Sequence, residues 1–413
     1  MSEPDSQTKF HKRPNVLPLS LAAFFNDTGA DMLFAFYPLF LVMILGVQDM
    51  KVLGFIESLA LLAGLLVRPV AGWISDQRGR LRFIWGGYVC LSLSRILQGL
   101  AQVWWHLVPS KMLYELGRGV RNPAREALLA ESVPQEERGV AFGLLQSMDT
   151  AGAILGPLLG LGIFAFLLRE GLSLEGAYRG VFLFAALPTL ASIGLALTQL
   201  REVRPVREIG EAGPEGGAER ADLGRALLLF TIISCLFSLW AVTENFMLVS
   251  GAQILNIQAG EIWPVVILYW FINVTFAPTA VLAGRLSDQY GRKPFILISF
   301  LVLAALTIFF AFAGNFWQVG LLFALHGVYQ GLLKPSQTAL VADLAPPRAR
   351  GEALGRYAMW VGLFAIPAPF LFGLLWDLLT WQAPFVISGL FIAICALLLT
   401  LLVHPAKWEK TAC

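Results

Sequence analysis

The chain alternates between long apolar runs and short segments rich in charge, glycine and proline. About 20 apolar residues cross a bilayer as one helix, and twelve runs reach roughly that length. In the first half the runs cover 16–45, 52–74, 82–103, 105–130, 139–167 and 179–199. In the second half they cover 224–252, 262–286, 294–313, 316–343, 352–376 and 382–403. The pattern predicts an all-α polytopic membrane protein with twelve transmembrane helices.

The composition agrees with this prediction and argues against a soluble domain, a nucleic-acid-binding protein and a disulfide- or zinc-stabilised protein. Of the 413 residues, 57% are hydrophobic and 14% are charged, whereas a soluble domain carries about 25% charge. Lipid offers the backbone no hydrogen bonds, so long apolar segments must satisfy them internally, as helices do. The net charge of +2 gives no indication of a nucleic-acid partner. Four scattered cysteines without a Cys-x-x-Cys pair indicate neither disulfides nor a thiolate metal site.

One segment of the chain occurs twice. Residues 71–83 read AGWISDQRGRLRF and residues 283–295 read AGRLSDQYGRKPF, so Asp76 returns as Asp288 after 212 residues. Three further pairs keep this offset: Pro123 with Pro335, Arg138 with Arg350, and Pro157 with Pro369. The repeat predicts two pseudo-symmetric six-helix bundles in the same orientation, which is how parallel repeats are built in transporters. The predicted parts are a tail at 1–15, a bundle at 16–199, a linker at 200–223, a bundle at 224–403 and a tail at 404–413.

Lysine and arginine are distributed unevenly between the two sets of loops. Nineteen of them fall in the tails, the linker and the loops on the same side, against three on the other side: Lys51, Arg169 and Arg179. Cytoplasmic loops of membrane proteins carry the excess of positive charge. The sequence therefore predicts a multi-pass protein of a bacterial inner membrane, with both termini and the linker in the cytoplasm.

The fifth predicted helix carries a stripe of small residues. Glycines recur every four residues on one face, and a proline follows the second of them: Gly152, Gly156, Pro157 and Gly160. Small faces allow helices in a membrane to approach closely, and the proline removes one backbone donor and permits a kink. We expect this stripe to be a helix-packing face.

These motifs together resemble the major facilitator superfamily. The order Gly72-x-x-Ser75-Asp76-x-x-Gly79-Arg80, with its copy in residues 284–293, is similar to that family's signature between helices 2–3 and 8–9. The stripe on the fifth helix is similar to a motif of its antiporter branch, and residues 117–139 resemble a bacterial subgroup of exporters. The resemblance covers roughly residues 16–403.

The resemblance implies a role for the repeated loops in gating. Asp76 would accept hydrogen bonds from a helix N-terminus and from arginines of other loops, and such charge-assisted bonds are about twice as strong as neutral ones. This latch would break when the cytoplasmic side opens. The plainer alternative is that these loops are basic only because cytoplasmic loops of membrane proteins usually are. The residues assigned to gating are Asp76, Arg80, Arg121, Arg138, Asp288 and Arg292.

Charged residues inside the predicted spans are the second source of candidates. Each costs roughly 2.5–3.5 kcal/mol on insertion scales, so it usually has a function. The resemblance implies that helices 1, 4, 7 and 10 line a central cavity, and the candidates fall on these four. The expected substrate- or proton-binding residues are Asp27, Asp31, Lys111, Glu115, Glu244 and His326.

Each candidate also has a structural interpretation. Glu115, between Lys111 and Arg118, can be an ion pair rather than a proton carrier, and His326 can be a hydrogen-bonded structural residue. Asp31 and Glu244 have no cation close in sequence. Because burial raises the pKa of an acid and a nearby cation lowers it, we expect these two to be the proton sites.

Three other charged residues of the spans are left without an assigned function. Arg125, like Arg121, lies near the cytoplasmic end of the fourth helix, where a long side chain can reach water. Asp149 and Arg95 are expected to pair with neighbours that the sequence does not identify.

The function expected is secondary active transport by alternating access, with proton-coupled export of a small organic or amphipathic solute by a monomer. One alternative is a transporter of a metal ion or metal chelate, with Asp27, Asp31, Glu244 and His326 as ligands. A second alternative is a non-transporting membrane scaffold or sensor. No ATP-binding loop or nucleophile elbow occurs in the sequence, so we expect neither an enzyme nor a bound cofactor or resident metal.

Overall fold

The computed structural model describes residues 13–203, 217–345 and 350–403. These residues form helices and no strand. In the first half the helices are α1 (Val16–Ile44), α2 (Met50–Arg78), α3 (Leu81–Gly99), α4 (Trp104–Glu131), α5 (Arg138–Arg169) and α6 (Leu174–Thr198). In the second half they are α7 (Gly217–Trp240 and Glu244–Ile254), α8 (Trp263–Tyr290), α9 (Arg292–Phe310), α10 (Phe316–Leu344), α11 (Arg350–Ala365 and Pro367–Leu378) and α12 (Ala383–Leu402). The predicted all-α fold of twelve helices is confirmed.

Parts of the predicted organisation lie outside the described residues. They are most of the tail at 1–15, the greater part of the linker at 200–223, and the tail at 404–413. The cytoplasmic position of these segments therefore stays a prediction.

The described residues pack as two compact units. Unit 1 contains residues 13–47 and 59–203, and unit 2 contains residues 48–58, 217–345 and 350–403. In unit 1, α1 packs against α5 and α6, while α3 packs against α4 and α6. In unit 2, α7 packs against α11 and α12, while α9 packs against α10 and α12. These pairings in unit 1 therefore recur between the corresponding helices of unit 2, as expected for a duplicated sequence.

The first turns of α2 belong to unit 2. The Asp377 carboxylate of α11 accepts hydrogen bonds from the backbone N–H groups of Met50 and Lys51 at 2.8 and 2.9 Å. The first N–H groups of a helix lack partners within the helix, and a carboxylate there also meets the positive end of the helix dipole. Asp377 therefore caps α2, a contact that the sequence pattern did not predict.

Nine of the helices in the described ranges are long and apolar enough to cross a membrane on length and composition alone. The other three are α3, α4 and α10, and each of them carries polar side chains within its span. Arg95 of α3 and His326 of α10 are almost completely buried, at 0% and 2% exposure. The polarity that weakens these three spans thus includes side chains directed into the protein.

Large apolar side chains cover the outside of many helices. Leu66, Trp73 and Phe309 are 63–64% exposed, and many other leucine and phenylalanine residues are similarly open. Soluble monomers rarely expose contiguous apolar patches above a few hundred Å². The surface is that of a protein surrounded by lipid.

The glycine stripe of α5 packs directly on the backbone of α1. A Cβ added to Gly152 would stand 2.5 Å from the Phe24 carbonyl oxygen, and one added to Gly156 would stand 2.5 Å from that of Thr28. A Cβ on Gly160 would collide with the carbonyl of Met32. Three glycines of α5 therefore match three successive turns of α1, and only hydrogen in place of a side chain permits this approach.

Replacing Gly156 by alanine is expected to destabilise unit 1 by about 1–3 kcal/mol, the usual cost of overpacking. The rigid backbone of α1 occupies the space that the new methyl group needs. Gly162→Ala is the matched control, because nothing lies within 4 Å of a Cβ at that position of the same helix. Thermal unfolding in detergent should show a lower midpoint for Gly156→Ala and an unchanged or higher one for Gly162→Ala. Equal midpoints would contradict the packing role of the stripe.

Candidate functional site

A carboxylate and an imidazole lie side by side in unit 2. Glu244 begins the second part of α7, directly after the break at residues 241–243. Its Oε1 atom lies 3.7 Å from Nε2 of His326 on α10. The His326 side chain is 2% exposed and that of Glu244 is 23% exposed. The structure thus brings together two of the predicted site residues, 82 positions apart in the sequence.

Two further side chains of α10 complete this group, and sequence reasoning missed both. The Gln330 amide nitrogen donates a hydrogen bond to Glu244 and lies 3.0 Å from Nε2 of His326. The Gln330 amide oxygen accepts a hydrogen bond from Lys334 Nζ at 2.8 Å. His326, Gln330 and Lys334 are spaced by four residues, which puts them on one face of a helix. That spacing was the available signal. We call Glu244, His326, Gln330 and Lys334 the α7–α10 cluster.

The α7–α10 cluster corrects one premise of the sequence analysis. Glu244 has no cation close in sequence, but Lys334 acts on it electrostatically and His326 is in contact. Both partners come from α10, so only the tertiary fold could show them. The carboxylate is therefore flanked by one fixed cation and one group that becomes a cation on protonation.

Hydrogen bonding within the cluster indicates the tautomer of His326. Lys334 can only donate, so the amide oxygen of Gln330 faces Lys334 and its NH₂ group faces His326. A neutral imidazole must then accept at Nε2 and carry its proton on Nδ1. Nδ1 is buried and has no hydrogen-bond partner among the residues that the structure describes.

In unit 1 the charged stripe of α4 is largely paired. Glu115 is 9% exposed, and its carboxylate contacts Arg118 at 2.9 Å one turn along the helix. The Lys111 ammonium lies 4.0 Å from the centre of the Tyr37 ring of α1 and 5.9 Å from that of Tyr114. The ion-pair interpretation of Glu115 is the one that this geometry favours.

The two acids of α1 occupy different surroundings. Asp27 accepts a hydrogen bond from the Asn26 amide at 2.7 Å, and its charge acts on Arg118 and Arg125 of α4. Asp31 lies on the side of α1 that packs on α5, where a Cβ at Gly156 would stand 2.9 Å from the Asp31 Cβ. Both side chains are half-buried in unit 1.

The expectation that Arg121 and Arg125 reach water is wrong. They are 4% and 6% exposed. Arg121 lies over the Tyr88 ring of α3, with its guanidinium carbon 5.0 Å from the ring centre, and donates to the side chain of its neighbour Asn122. Gly87 makes the room, since a Cβ there would meet that of Arg121 at 2.6 Å. Close α3–α4 packing therefore covers Arg121.

Arg125 has found a partner on another helix. Its two terminal nitrogens donate to the two oxygens of Asp149 on α5 at 3.2 and 3.3 Å. The side chains are 7% and 14% exposed. This buried pair links α4 to α5, and Arg125 is the partner of Asp149 that the sequence did not identify.

The first signature loop forms a network of its own inside unit 1. Arg80 pairs with Asp76 of the same loop and contacts Glu131, at the end of α4, at 2.8 Å. Burial alone would lower the pKa of Arg80, but the hydrogen bond and charge of Glu131, together with Asp76, raise that pKa above its ordinary value. The Glu202 carboxylate accepts hydrogen bonds from the backbone N–H groups of Arg80 and Leu81 at 2.5 and 3.1 Å. Glu202 therefore occupies the helix N-terminus that follows the loop.

The second signature loop repeats this arrangement in unit 2. Arg292 pairs with Asp288, donates to Ser287 at 2.8 Å, and lies 3.4 Å from Asp343 at the end of α10. Asp343 stands 212 residues after Glu131. An acid at both positions was visible in the sequence as part of the repeat, but the sequence analysis did not include it.

Arg138, the remaining gating candidate, is exposed at the start of α5. Its Nε atom donates to the Ala130 carbonyl in the last turn of α4 at 3.2 Å. A cation at a helix C-terminus satisfies carbonyls that lack partners within the helix. Arg138 therefore ties the ends of two successive helices together.

Glu131→Gln is expected to lower the thermal midpoint by more than Asp343→Asn, its matched control at the repeated position. The Arg80–Glu131 pair is 13% and 15% exposed, whereas Asp343 is 56% exposed and its contact is longer. Losing a charged hydrogen bond costs about 1.5–3 kcal/mol, and an exposed ion pair contributes about 0–1 kcal/mol. Equal effects of the two substitutions would show that the first loop is no more tightly held than the second.

The helical units and their buried charges define a polytopic membrane transporter. The family model described as Major Facilitator Superfamily matches residues 19–275 and 233–412. The chain belongs to the Major Facilitator Superfamily.

Individual relatives agree with the family. An uncharacterized MFS-type transporter of Methanocaldococcus jannaschii is 29% identical over 368 residues, which cover 88% of this chain and 89% of that protein. Multidrug resistance protein MdtG of Serratia proteamaculans is 28% identical over 347 residues, 79% of each chain. Both matches extend over most of the chain, so they reach both halves of the repeat.

Solved structures show the same fold at low identity. The nucleoside transporter NupG has a TM-score of 0.73 at 13% identity and covers 94% of this chain and 98% of its own. A bacterial homologue of the human lysosomal transporter Spinster has a TM-score of 0.72 at 15% identity, with 97% and 98% covered. Membership in the Major Facilitator Superfamily, rather than this likeness of fold, makes the chain a transporter and not an enzyme.

Proposed function

We propose that this protein exports a small amphipathic organic solute from the cytoplasm in exchange for protons. The observation that carries the proposal is the contact between Glu244 and His326 in unit 2. An imidazole changes its charge between pH 5 and 8 more readily than any other side chain. Glu244 and His326 can each accept and release a proton, and their side chains lie in contact although they belong to different helices.

The α7–α10 cluster can couple a proton to a solute by competition. With His326 neutral, the Glu244 charge is balanced by Lys334 through Gln330. Protonation of the pair changes the net charge of the cluster by one. Because a charge inside the membrane is costly, a cationic or polarisable solute that binds Glu244 favours release of that proton. Proton and solute then occupy the site in turn, which is antiport.

Unit 1 supplies a second set of candidate groups for the same cycle. Asp27 and Asp31 of α1 are proposed as proton- or solute-binding acids, together with Lys111 and Glu115 of α4. The Lys111 contact with the Tyr37 ring is a cation–π interaction, and such aromatic surfaces also suit amphipathic organic molecules. We therefore propose that the solute carries an aromatic or other apolar part in addition to a polar group.

Alternating access would expose these groups to one side of the membrane at a time, by rocking of the two six-helix halves. We propose that the two signature loops take part in gating this cycle. Asp76 pairs with Arg80 and Asp288 with Arg292 of its own loop, whereas the resemblance implied arginines of other loops as partners of Asp76, and Glu202 occupies the helix N-terminus expected for Asp76. Arg121 and Arg138 would support the first loop by holding α4 against α3 and α5. The supporting observation is that the arginine–acid network of the first loop recurs in the second.

Direction and location are also proposals. Similarity to MdtG, a multidrug resistance protein, supports export of an amphipathic compound. The uneven distribution of lysine and arginine supports cytoplasmic termini in a bacterial inner membrane. We propose that one chain suffices for transport, since both halves of the transporter are present in it.

The metal-transport alternative has less support. Among the described residues, no three His, Cys, Asp or Glu side chains come together as a ligand set. The scaffold or sensor alternative gains nothing from membership in a transporter family.

Solute accumulation under an imposed pH gradient tests the proposal. A panel of amphipathic compounds is first screened by thermal stabilisation, because binding to the folded state raises its stability by mass action. Proteoliposomes with the protein should then accumulate a stabilising compound only when a pH gradient is present, and a protonophore should abolish the accumulation. Accumulation that ignores both the gradient and the protonophore would exclude proton coupling.

A further inference from the structure

Arg95 is a completely buried arginine in the middle of unit 1. It lies on α3 with 0% exposure. Its guanidinium donates to the Ala185 carbonyl of α6 at 3.1 Å, and to the backbone and side-chain oxygens of Asn26 on α1 at 3.0 and 3.3 Å. One side chain therefore connects three helices, and the proposed function has not used it.

Space for this guanidinium is provided by a glycine. A Cβ added to Gly29 of α1 would stand 2.5 Å from the Nη1 atom of Arg95 and would also collide with the carbonyl of Ala185. Any larger residue at this position would displace the arginine or separate α1 from α6. The sequence of α1 is thus compatible with Arg95 in this place.

Stability alone does not explain a charge at this depth. Taking a guanidinium out of water costs several kcal/mol, and replacing buried charges by apolar side chains of similar volume is often neutral or stabilising. Within the described part of the chain, the Nε atom of Arg95 is buried without a hydrogen-bond partner, which adds to the cost. An apolar residue would join α1, α3 and α6 as well, so the charge calls for another explanation.

Asn26 links Arg95 to the Asp27 carboxylate through hydrogen bonds. Because Arg95 can only donate, it binds the carbonyl oxygen of the Asn26 side-chain amide. The amide oxygen therefore faces Arg95, and the NH₂ group faces away from it. The NH₂ end then donates to Asp27 Oδ1 at 2.7 Å. Asp27 consequently receives a hydrogen bond whose direction is set by an arginine on a different helix.

We propose that Arg95 is a positioning residue that acts through Asn26 to orient the Asp27 carboxylate and to stabilise its ionised form. This inference rests on the proposed role of Asp27 in proton-coupled transport, and it adds the residue that tunes the acid. Asn26 is the only link in the relay that belongs to the same helix as Asp27.

Other charged or titratable groups also act on the Asp27 carboxylate. They come from α3, α4 and α5, and each interacts electrostatically with Asp27: Tyr88, Arg95, Tyr114, Arg118, Arg125 and Asp149. Arg118 and Arg125 already have carboxylate partners in Glu115 and Asp149. Arg95 differs from them, because its hydrogen bonds go to uncharged oxygen atoms. Its hydrogen-bonded connection to Asp27 passes through the side-chain amide of Asn26.

The test is a titration of Asp27 by difference infrared spectroscopy on the full-length protein in lipid. The carboxyl band that disappears in Asp27→Asn identifies the group. In Arg95→Gln and in Asn26→Ala the midpoint of this titration should move to higher pH by about one to two units, the equivalent of one hydrogen bond to a charged group. Arg95→Lys, which keeps the charge but not the geometry, should move it less. Asn26→Ala leaves the bonds of Arg95 to both backbone carbonyls possible, so it addresses the relay even if Arg95→Gln folds poorly.

Arg179→Gln is the matched control, since Arg179 also donates to a backbone carbonyl, that of Gly99, at 2.9 Å in the same unit. It should leave the midpoint in place. An Asp27 midpoint that is the same in wild type, Asn26→Ala and Arg95→Gln would overturn the inference, even if proton-coupled transport is found. A midpoint that moves as expected in a protein without proton coupling would sustain the inference about Arg95 and refute the proposed function instead.

Discussion

Asp149→Asn is expected to lower the free energy of unfolding by about 3–5 kcal/mol, the cost of breaking a buried ion pair by removing one partner. The substitution leaves Arg125, 6% exposed, without its carboxylate. Arg121, also buried, is electrostatically coupled to the same acid, so two cations would lose their compensation at once. Thermal or denaturant unfolding of the purified protein in detergent measures the effect.

Two comparisons make this prediction specific. The double variant Arg125→Met with Asp149→Leu removes both charges and should recover a large part of the lost stability. Glu175→Gln breaks the Arg179–Glu175 pair in the same unit, but Glu175 is 56% exposed, so it should cost at most about 1 kcal/mol. If Asp149→Asn proves as mild as Glu175→Gln, the Arg125–Asp149 pair does not stabilise unit 1 in the way described.

Glu244→Gln is expected to abolish proton-driven transport while leaving the protein folded. Glutamine keeps the size and the hydrogen-bond acceptor that Gln330 requires, but it has no charge and exchanges no proton. Solute flux under a pH gradient in proteoliposomes should fall to the level of vesicles without protein. Exchange of solute for solute, which needs no proton, should survive to a greater extent.

The control for this prediction is another glutamate of unit 2. Glu261 lies in the exposed loop between α7 and α8, and Glu261→Gln should leave proton-driven flux unchanged. Loss of flux in both variants would indicate a general effect of removing negative charge. Retained coupling in Glu244→Gln would remove Glu244 from the mechanism.

The fold could be predicted from the sequence because it depends on two strong regularities. Apolar runs of bilayer length repeat along the chain, and the 212-residue offset fixes which helices correspond. The one-face spacing of Gly152, Gly156 and Gly160 predicted a packing surface, and the structure identifies α1 as its partner. These features involve neighbours in sequence or exact repetition, which a single chain displays directly.

The candidate site could be predicted only in part. Asp27 and Glu244 were recognisable because an acid inside an apolar span is conspicuous. Their partners were not, because the four-residue spacing of His326, Gln330 and Lys334 places these residues on one face of α10 but does not show which helix that face meets. Lys334 lies 90 positions beyond Glu244. Pairing between helices depends on rotation and register, and the hydrophobic pattern specifies neither with enough accuracy.

The sequence-based expectation was wrong mainly about which charged side chains are buried. Arg121 and Arg125 lie in the part of α4 that approaches the loops, and long cationic side chains there usually extend to water. Gly87 of α3 instead lets the two helices close over Arg121, and Asp149 of α5 attracts Arg125 inward. The sequence contained each of these residues, but it did not show that they meet.

The most direct test of the central claim is to record proton movement itself. Proteoliposomes containing wild-type protein or Glu244→Gln, loaded with a pH-sensitive dye, receive a solute already shown to stabilise the protein. With the wild type we expect a saturable proton flux opposite in direction to the solute flux, and with Glu244→Gln we expect none. Solute transport by the wild type without any proton movement, or equal proton movement in both proteins, would contradict the account.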